Sequence, residues 1–184
     1  MNIAVIGARR TKNGIGEYIA KYLHANAACV VCVLGTSPES SLEASAVLSP
    51  YGIAAQPYSS FDEMVEKESI DAVAIASPLH THDEFLRASL SRRFSVFCEK
   101  PFLDPSRSDM EVQLQDIVTL AQKKGATVAM NSQWPFCLGA YEELCGKIEP
   151  AGVRSFFMRL SPQCSGAEMI PDSVPHGLSM LYAV

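Results

Sequence analysis

The feature that most constrains the fold of this chain is a regular alternation of short apolar runs with longer amphipathic segments. Short, continuous apolar runs are typical of strands buried on both faces, and the segments between them have helical spacing. Six strands separated by helices predict an α/β fold, a doubly wound parallel sheet. The predicted strands are 3–7, 29–35, 54–58, 72–76, 95–98 and 127–130, and the predicted helices are 16–25, 39–48, 61–67, 82–91 and 107–124.

The pattern changes after Met130, so we expect one domain over residues 1–130 and a second part over residues 131–184. In the second part, Leu138–Cys145 is predicted as a linker helix, VRSFFMRL (153–160) as a strand, and a last helix begins near Pro175. Helix ends carry their own signals. Capping pairs are predicted at Ser60/Glu63, Thr81/Glu84 and Ser108/Glu111, and a helix stop at Gly125.

Composition excludes several classes of partner. The formal net charge is -5 with a pI near 5.4, and no basic run is longer than two residues, which disfavours nucleic acid. The amino terminus lacks the order of a signal peptide, and no apolar stretch approaches a bilayer span, so we expect a cytoplasmic protein without membrane contact. Cys29 and Cys32 match a C-x-x-C spacing inside a predicted strand, where they would face opposite sides; we expect reduced thiols and no metal site.

The first predicted strand leads through a glycine-rich loop directly into a helix. Glycines allow a pyrophosphate to approach the backbone, and a helix amino terminus presents free amides to it. The loop is longer than in G-x-G-x-x-G, and a plain flexible loop is the alternative. The expected cofactor-binding residues here are Gly7, Ala8, Arg9, Arg10, Gly14, Ile15 and Gly16.

The second predicted strand ends in Gly35-Thr36-Ser37 rather than in a carboxylate. An acidic residue at this position would bind the adenosine ribose hydroxyls of NAD and repel a 2′-phosphate. With two arginines in the neighbouring loop, Thr36 and Ser37 are expected to bind the cofactor and to favour NADP slightly over NAD. The alternatives are that the arginines are only solvated and that Ser37 only caps the next helix.

Two further loops follow the fourth and fifth strands, at the sheet edge where ligands of open α/β sheets bind. The first contains Ser77, Pro78 and His82, and the second contains Glu99 and Lys100 in a Glu-Lys-Pro turn. We expect these five residues to contact the cofactor, with the Lys100 ammonium at the nicotinamide end. The alternative for the turn is a solvated ion pair.

The ordered motifs IAVIG, DAVAIASPLHTH, SVFCEKP, VAMNSQWPF and D-x-x-x-H together resemble the glucose-fructose oxidoreductase and inositol dehydrogenase (Gfo/Idh/MocA) family over nearly the whole chain. The resemblance implies an NAD(P)-dependent dehydrogenase for a sugar, cyclitol or similar polyol, with Lys100, Asp172 and His176 as catalytic residues. A histidine suits the base that removes the hydroxyl proton near neutral pH. Family members continue much further and often oligomerise, so residues 131–184 would begin a truncated α/β substrate and oligomerisation domain.

Two other function classes stay open at this stage. A non-catalytic dinucleotide-binding module or scaffold is favoured by the short second part. A Rossmann domain that binds coenzyme A or a nucleotide phosphate would explain the atypical loop but leaves the Glu-Lys-Pro turn unexplained. Cofactor binding without turnover would separate the module from the enzyme.

Overall fold

The computed structural model describes residues 1–9, 14–162 and 164–184. They form two compact units, Met1–Met130 and Asn131–Val184. Among the described residues, no helix is long and apolar enough to cross a membrane.

The first unit is built on a six-stranded parallel sheet, which confirms the predicted fold class. The strand order is β3-β2-β1-β4-β5-β6, so the chain reverses its direction of winding between the central strands β1 and β4. In open α/β sheets such a reversal opens a crevice at the carboxyl ends of the strands. The strands are β1 (Asn2–Ile6), β2 (Cys29–Leu34), β3 (Gln56–Tyr58), β4 (Ala72–Ile75), β5 (Ser95–Cys98) and β6 (Val128–Met130).

Five helices connect these strands, close to the predicted ranges. Only the start of the fifth differs by more than a residue, because Asp104 accepts hydrogen bonds from the backbone and hydroxyl of Ser106 and holds this segment as a turn. The helices are α1 (Gly16–Ala25), α2 (Pro38–Leu48), α3 (Phe61–Lys67), α4 (His82–Ser91) and α5 (Met110–Lys124).

The predicted helix ends are partly confirmed. Ser60 caps α3 by accepting from the Glu63 amide at 3.3 Å, and Gly125 ends α5 with φ 65°. The cap at Thr81 is wrong, because its hydroxyl donates to the Pro78 carbonyl at 2.8 Å instead. The cap at Ser108 is also wrong, because α5 begins one residue later, after Asp109.

Both faces of the sheet are buried under helices, which explains why its strands are apolar throughout. Alternate residues of β1 divide between two hydrophobic clusters: Ala4 and Ile6 belong to one, and Ile3 and Val5 to the other. Every residue from Ile3 to Ile6 is at most 2% exposed. The strand therefore fixes the centre of the sheet from both sides.

The second unit contains two helices, α6 (Cys137–Cys145) and α7 (Met169–Ala183), with short 3-10 turns between them. The strand predicted at 153–160 is wrong. That segment has no partner strand among the described residues, and a sheet strand exists only by backbone pairing. The predicted start of the last helix at Pro175 is also wrong: α7 begins at Met169, and Pro175 lies inside it at the cost of one backbone hydrogen bond.

Candidate functional site

A cleft of about 620 Å³ lies in the first unit at the carboxyl ends of β1, β2 and β4. It therefore occupies the place where the winding of the sheet reverses, which is the ordinary ligand site of this architecture. The cleft is lined by Ile6, Gly7, Arg9, Gly14, Leu34, Gly35, Thr36, Ser40, Ala44, Ser59, Phe61, Ala76, Ser77, Pro78, Thr81, Glu84 and Phe85.

Gly7 brings the backbones after β1 and β4 into direct contact. Its φ is +84°, and a Cβ placed there would lie 2.8 Å from the Ala76 carbonyl and the Ser77 amide. Any side chain at this position would force the two loops apart and would occupy space at the cleft wall. The glycine is therefore required both by the turn and by the close approach.

Gly16, the first residue of α1, packs against the same loop. A Cβ on Gly16 would lie 2.1 Å from the Gly7 carbonyl oxygen, so only glycine allows this contact. No side chain of the described residues caps the amino terminus of α1. The first amides of α1, together with the positive end of the helix dipole, are thus suited to an anion in the adjoining loop.

The end of β2 carries hydroxyl groups with two different roles. Ser37 and Ser40 cap α2 reciprocally, with Oγ–amide distances of 2.9 and 3.2 Å. Thr36 lines the cleft, with its Oγ1 3.3 Å from Ser40 Oγ. The capping alternative for Ser37 is thus observed, whereas the Thr36 hydroxyl lies at the cleft.

Arg9 lines the cleft and forms an ion pair with Glu43 of α2, at 2.8 Å between Nε and Oε2. The two side chains are about half exposed, 46% and 57%. An exposed pair of this kind is weak and exchanges partners readily. A carboxylate of α2 thus pairs with an arginine of the cleft, although Glu43 itself is not part of the cleft lining.

The wall after β4 is formed by a fixed turn. Thr81 Oγ1 donates to the Pro78 carbonyl at 2.8 Å, so the 2.7 Å contact between Ser77 and Thr81 requires Ser77 Oγ to donate. This leaves the lone pairs of Ser77 Oγ directed to further donors. Ser77 and Pro78 both line the cleft.

The far end of the cleft is aromatic. Phe61 and Phe85 lie with their ring centroids 5.9 Å apart and tilted by 42°. The guanidinium of Arg92 lies 5.3 Å from the Phe61 centroid, a cation–π contact that holds the ring from outside. This end of the cleft suits a flat, apolar group such as a purine base.

Lys100 lies in the turn after β5, where Glu99 continues the sheet by donating its amide to the Ile75 carbonyl at 2.9 Å. Both side chains are half-buried, and the Lys100–Pro101 peptide is cis. His82 is almost fully buried, and its ring nitrogens lie 2.8 Å from the carbonyl oxygens of Ser77 and Pro101. This histidine lies behind the cleft wall and not at its surface.

The loop that follows the turn is fixed to α4 and α5 by a closed ring of polar side chains. Asp83 binds Arg87 at 2.6 Å and Arg107 at 3.2 Å, and Arg107 forms two contacts with Asp109, at 3.1 and 3.2 Å. Gln113 closes the ring by contacting Asp109 at 2.9 Å and Arg87 at 2.7 Å. The hydrogen bond from Arg107 lowers the pKa of the Asp109 carboxyl.

Asp172 and His176 lie four residues apart in α7 of the second unit, both half-buried. The His176 ring meets the Trp134 ring edge-on, with 6.0 Å between centroids and 71° between planes. Trp134 Nε1 is buried and has no acceptor among the described residues. The indole thus supports the imidazole within this unit.

The predicted cofactor-binding residues thus divide into three groups. Six line the cleft: Gly7, Arg9, Gly14, Thr36, Ser77 and Pro78. Others lie outside its lining: Ala8, Ile15, Gly16, Ser37, His82, Glu99 and Lys100. Arg10 lies outside the described residues.

Sequence reasoning missed Glu43, Phe61 and Phe85. Phe61 follows the end of β3 by three residues, and that position was the available signal; Phe85 lies ten residues after β4, inside α4, and carried no such signal. Glu43 carried none either, because its side chain reaches Arg9 from the middle of a helix.

Two cysteines of the first unit, Cys32 and Cys98, are buried. Burial, followed by the charge of Glu68, raises the pKa of Cys32 to about 12, and burial also raises that of Cys98. Such thiols stay protonated near neutral pH. The described residues contain no cluster of three or more His, Cys, Asp or Glu side chains that could hold a metal ion.

Known proteins with sequences similar to this chain belong to a family with the same fold. The Gfo/Idh/MocA model, described as an oxidoreductase family with an NAD-binding Rossmann fold, matches residues 1–132. Inositol 2-dehydrogenase of Renibacterium salmoninarum is 30% identical over 160 residues, covering 86% of this chain and 44% of that protein. The chain spans less than half the length of each curated relative that it matches.

Two solved structures show the same fold at low identity. GenD2 from gentamicin A biosynthesis, solved with NAD, has a TM-score of 0.64 at 18% identity, over 78% of this chain and 38% of that one. KijD10, a 3-ketoreductase from Actinomadura kijaniata solved with NADP, has a TM-score of 0.61 at 18% identity, over 78% and 42%. The family match covers most of the chain, and the chain therefore belongs to the Gfo/Idh/MocA oxidoreductase family.

Proposed function

We propose that the chain binds a nicotinamide dinucleotide in the cleft and belongs to an enzyme that transfers a hydride to or from a sugar, cyclitol or related polyol. The observation that carries the proposal is the contact of Gly7 with the backbone after β4, beside the uncapped start of α1. A Cβ would fill this cradle, and its exposed amides suit a pyrophosphate.

The proposed placement of the cofactor follows the chemistry of the cleft. Gly7, Gly14, Ile15 and Gly16 would hold the pyrophosphate, together with Ala8 and Arg10. The adenine would lie toward Phe61 and Phe85, and its ribose toward Thr36. Ser77, Pro78 and the Glu99–Lys100 turn would hold the nicotinamide end, with His82 behind them.

We also propose that NADPH binds somewhat more tightly than NADH. No carboxylate follows β2 directly, and the pair between Arg9 and Glu43 is exposed enough for Arg9 to bind a 2′-phosphate instead. A positioned guanidinium binds a phosphate strongly through paired hydrogen bonds. The weak ion pair with Glu43 thus keeps the Arg9 side chain oriented and still lets it bind a phosphate.

The chain's own residues would handle the proton and the orientation of the substrate. When bound, the nicotinamide ring supplies the hydride acceptor or donor. In alcohol oxidation, His176 would remove the hydroxyl proton, Asp172 would orient the imidazole, and Lys100 would hydrogen-bond the reacting oxygen. Helical spacing places Asp172 and His176 on one face of α7.

The first test is a titration of the 184-residue chain with NADH and NADPH, followed by cofactor fluorescence and thermal shift. A ligand that binds only the native state must raise the melting temperature. Saturable binding with NADPH tighter than NADH supports the proposal. Binding of neither cofactor contradicts it.

Turnover is tested separately with a panel of polyols, by following the absorbance of the reduced cofactor. Lys100→Ala should abolish turnover with the cofactor affinity retained, whereas Lys123→Ala, at the exposed end of α5, should change neither. Tight binding without turnover, also in a longer form of the protein, favours the non-catalytic module.

A further inference from the structure

His82 joins two loops that the cleft needs at a fixed separation. It is the first residue of α4, and only 2% of it is exposed. Its Nδ1 lies 2.8 Å from the carbonyl oxygen of Pro101, and its Nε2 lies 2.8 Å from that of Ser77. The ring therefore spans the loops that follow β5 and β4.

Both partners of the ring are carbonyl oxygens, which only accept hydrogen bonds. Whichever tautomer is present, at least one ring nitrogen carries an N–H and donates to the carbonyl that it faces.

The two carbonyls belong to the parts of the site that must meet the same end of a ligand. Ser77 forms the cleft wall against Gly7, and Pro101 directly follows Lys100. The ring lies between these two carbonyls and sets the distance between this wall and the lysine turn. Positioning to within a fraction of an ångström is what hydride-transfer geometry demands.

We propose that His82 is a positioning residue whose buried ring fixes the Lys100 turn to the cleft wall. Its purpose rests on the proposed function, because a fixed separation matters only when a cofactor binds there. The ring itself is buried behind the wall and touches no ligand. The clamp can nonetheless be tested without any cofactor.

The first test is the ¹⁵N spectrum of ring-labelled histidines in the wild-type chain at pH 7 without cofactor. We expect one of the four histidines, absent from the spectrum of His82→Gln, to show a ring N–H that exchanges slowly with solvent because it is buried and donates to a carbonyl. Fast solvent exchange of every ring N–H of this histidine would overturn the proposal.

The second test compares His82→Leu, which removes both ring nitrogens, with His82→Gln, whose amide supplies N–H groups to the same carbonyls. Amide hydrogen exchange without cofactor should accelerate in 77–81 and in 99–103 for the leucine variant, and the glutamine variant should restore the slow exchange. The matched control is Ser89→Ala, on the same helix, whose buried hydroxyl has no partner among the described residues. It should leave exchange unchanged.

NADH affinity gives the functional readout. The leucine variant should raise the Kd about tenfold, equivalent to about 1.4 kcal/mol, and the glutamine variant should stay within about threefold of wild type. Unchanged exchange and affinity in the leucine variant contradict the clamp. If the leucine variant does not fold, fast exchange of both loops in the glutamine variant contradicts it. Failure of the wild type to bind NADH contradicts the proposed function, while exchange and the ¹⁵N spectrum still decide the clamp.

Discussion

Glycines with positive φ serve two different purposes in this chain. At Gly125 the residue ends α5, and a Cβ there would meet nothing within 4 Å. At Gly7 the same left-handed backbone conformation places the loop against Ala76 and Ser77, and a Cβ there would lie 2.8 Å from their backbone atoms. The backbone conformation alone favours glycine at position 125, whereas at position 7 the close contact between two loops of the cleft requires it as well.

Gly7→Ala and Gly125→Ala form a matched pair. Gly125→Ala should lose about 1 kcal/mol of unfolding free energy because alanine disfavours the left-handed region, and Gly7→Ala should lose more because its Cβ also clashes with backbone atoms of Ala76 and Ser77. Only Gly7→Ala should also weaken NADH binding, by at least about tenfold, since its Cβ pushes the cleft wall away. Urea denaturation and fluorescence titration measure the two effects. Equal cofactor affinity in the two variants would show that Gly7 does not shape the site.

The ion pair between Arg9 and Glu43 gives a prediction about the relative affinities for NADPH and NADH. Glu43→Gln frees Arg9 from its partner and should tighten NADPH binding more than NADH binding, by a factor of about three to five. Arg9→Ala should weaken NADPH binding selectively. Glu39→Gln, one turn earlier on α2, is the control and should alter neither affinity. Parallel changes for both cofactors in the Glu43 variant would argue against the proposed exchange.

The residue scale also shows where sequence reasoning ends. Gly7 and Gly14 follow from the strand-loop-helix pattern, and both line the cleft. Thr36 and Ser37 carry the same signal at the end of β2, yet only Thr36 lines the cleft because Ser37 caps α2. Glu43 and the burial of His82 depend on contacts between elements distant in sequence, which spacing does not encode.

Among the elements, β3 and α3 are joined by one short hydrogen bond. Tyr58 at the end of the edge strand donates its hydroxyl to Glu68, which follows α3, at 2.6 Å. This bond, with smaller contributions from burial and the Glu68 charge, raises the pKa of Tyr58 to about 12. The phenol must stay protonated to donate.

The sign of the resulting pH dependence follows from this raised pKa. An unfolded tyrosine titrates near pH 10, so the bond contributes its full stability below pH 10 and loses it as the pH rises to about 12. We expect Tyr58→Phe to lower the urea midpoint at pH 9 and the difference from wild type to vanish near pH 12. A difference that stays constant over this range would exclude Glu68 as the cause.

Secondary structure was predictable here to the extent that local signals agreed with tertiary contacts. The five helices between strands were found because their apolar spacing and their position in the alternation indicate the same fold. The segment 153–160 has the composition of a strand, but pairing requires a partner that composition does not reveal. Proline favours the first turn of a helix and so predicts a start at Pro175, yet the preceding turn of α7 is helical too.

At the scale of the whole molecule, burial is unequal between the two units. All the hydrophobic residues below 9% exposure among those described lie between Ile3 and Ala121. The second unit instead exposes large side chains, with Phe136, Leu144 and Phe157 each at least 87% exposed. Its stability therefore depends on much less apolar burial.

The only tryptophan, Trp134, reports on the second unit alone. Urea unfolding followed by tryptophan fluorescence should have a lower midpoint than unfolding followed by far-UV circular dichroism, which is dominated by the first unit. Trp134→Phe serves as the control and should leave the circular dichroism midpoint of the first unit unchanged. Coincident transitions in the wild type would mean that the units unfold as one.

The position of β1 in the sheet has a consequence for how the chain is made. This strand is synthesised about 70 residues before β4, yet it pairs with β4 on one side, where Ile3 lies opposite Ala72. At ribosomal speeds about 70 residues take roughly 4–14 s, so its apolar edge stays open during that time. Only β2, about 27 residues later, can cover one side sooner. The nascent chain is therefore expected to need protection by chaperones until residue 75 has left the ribosome.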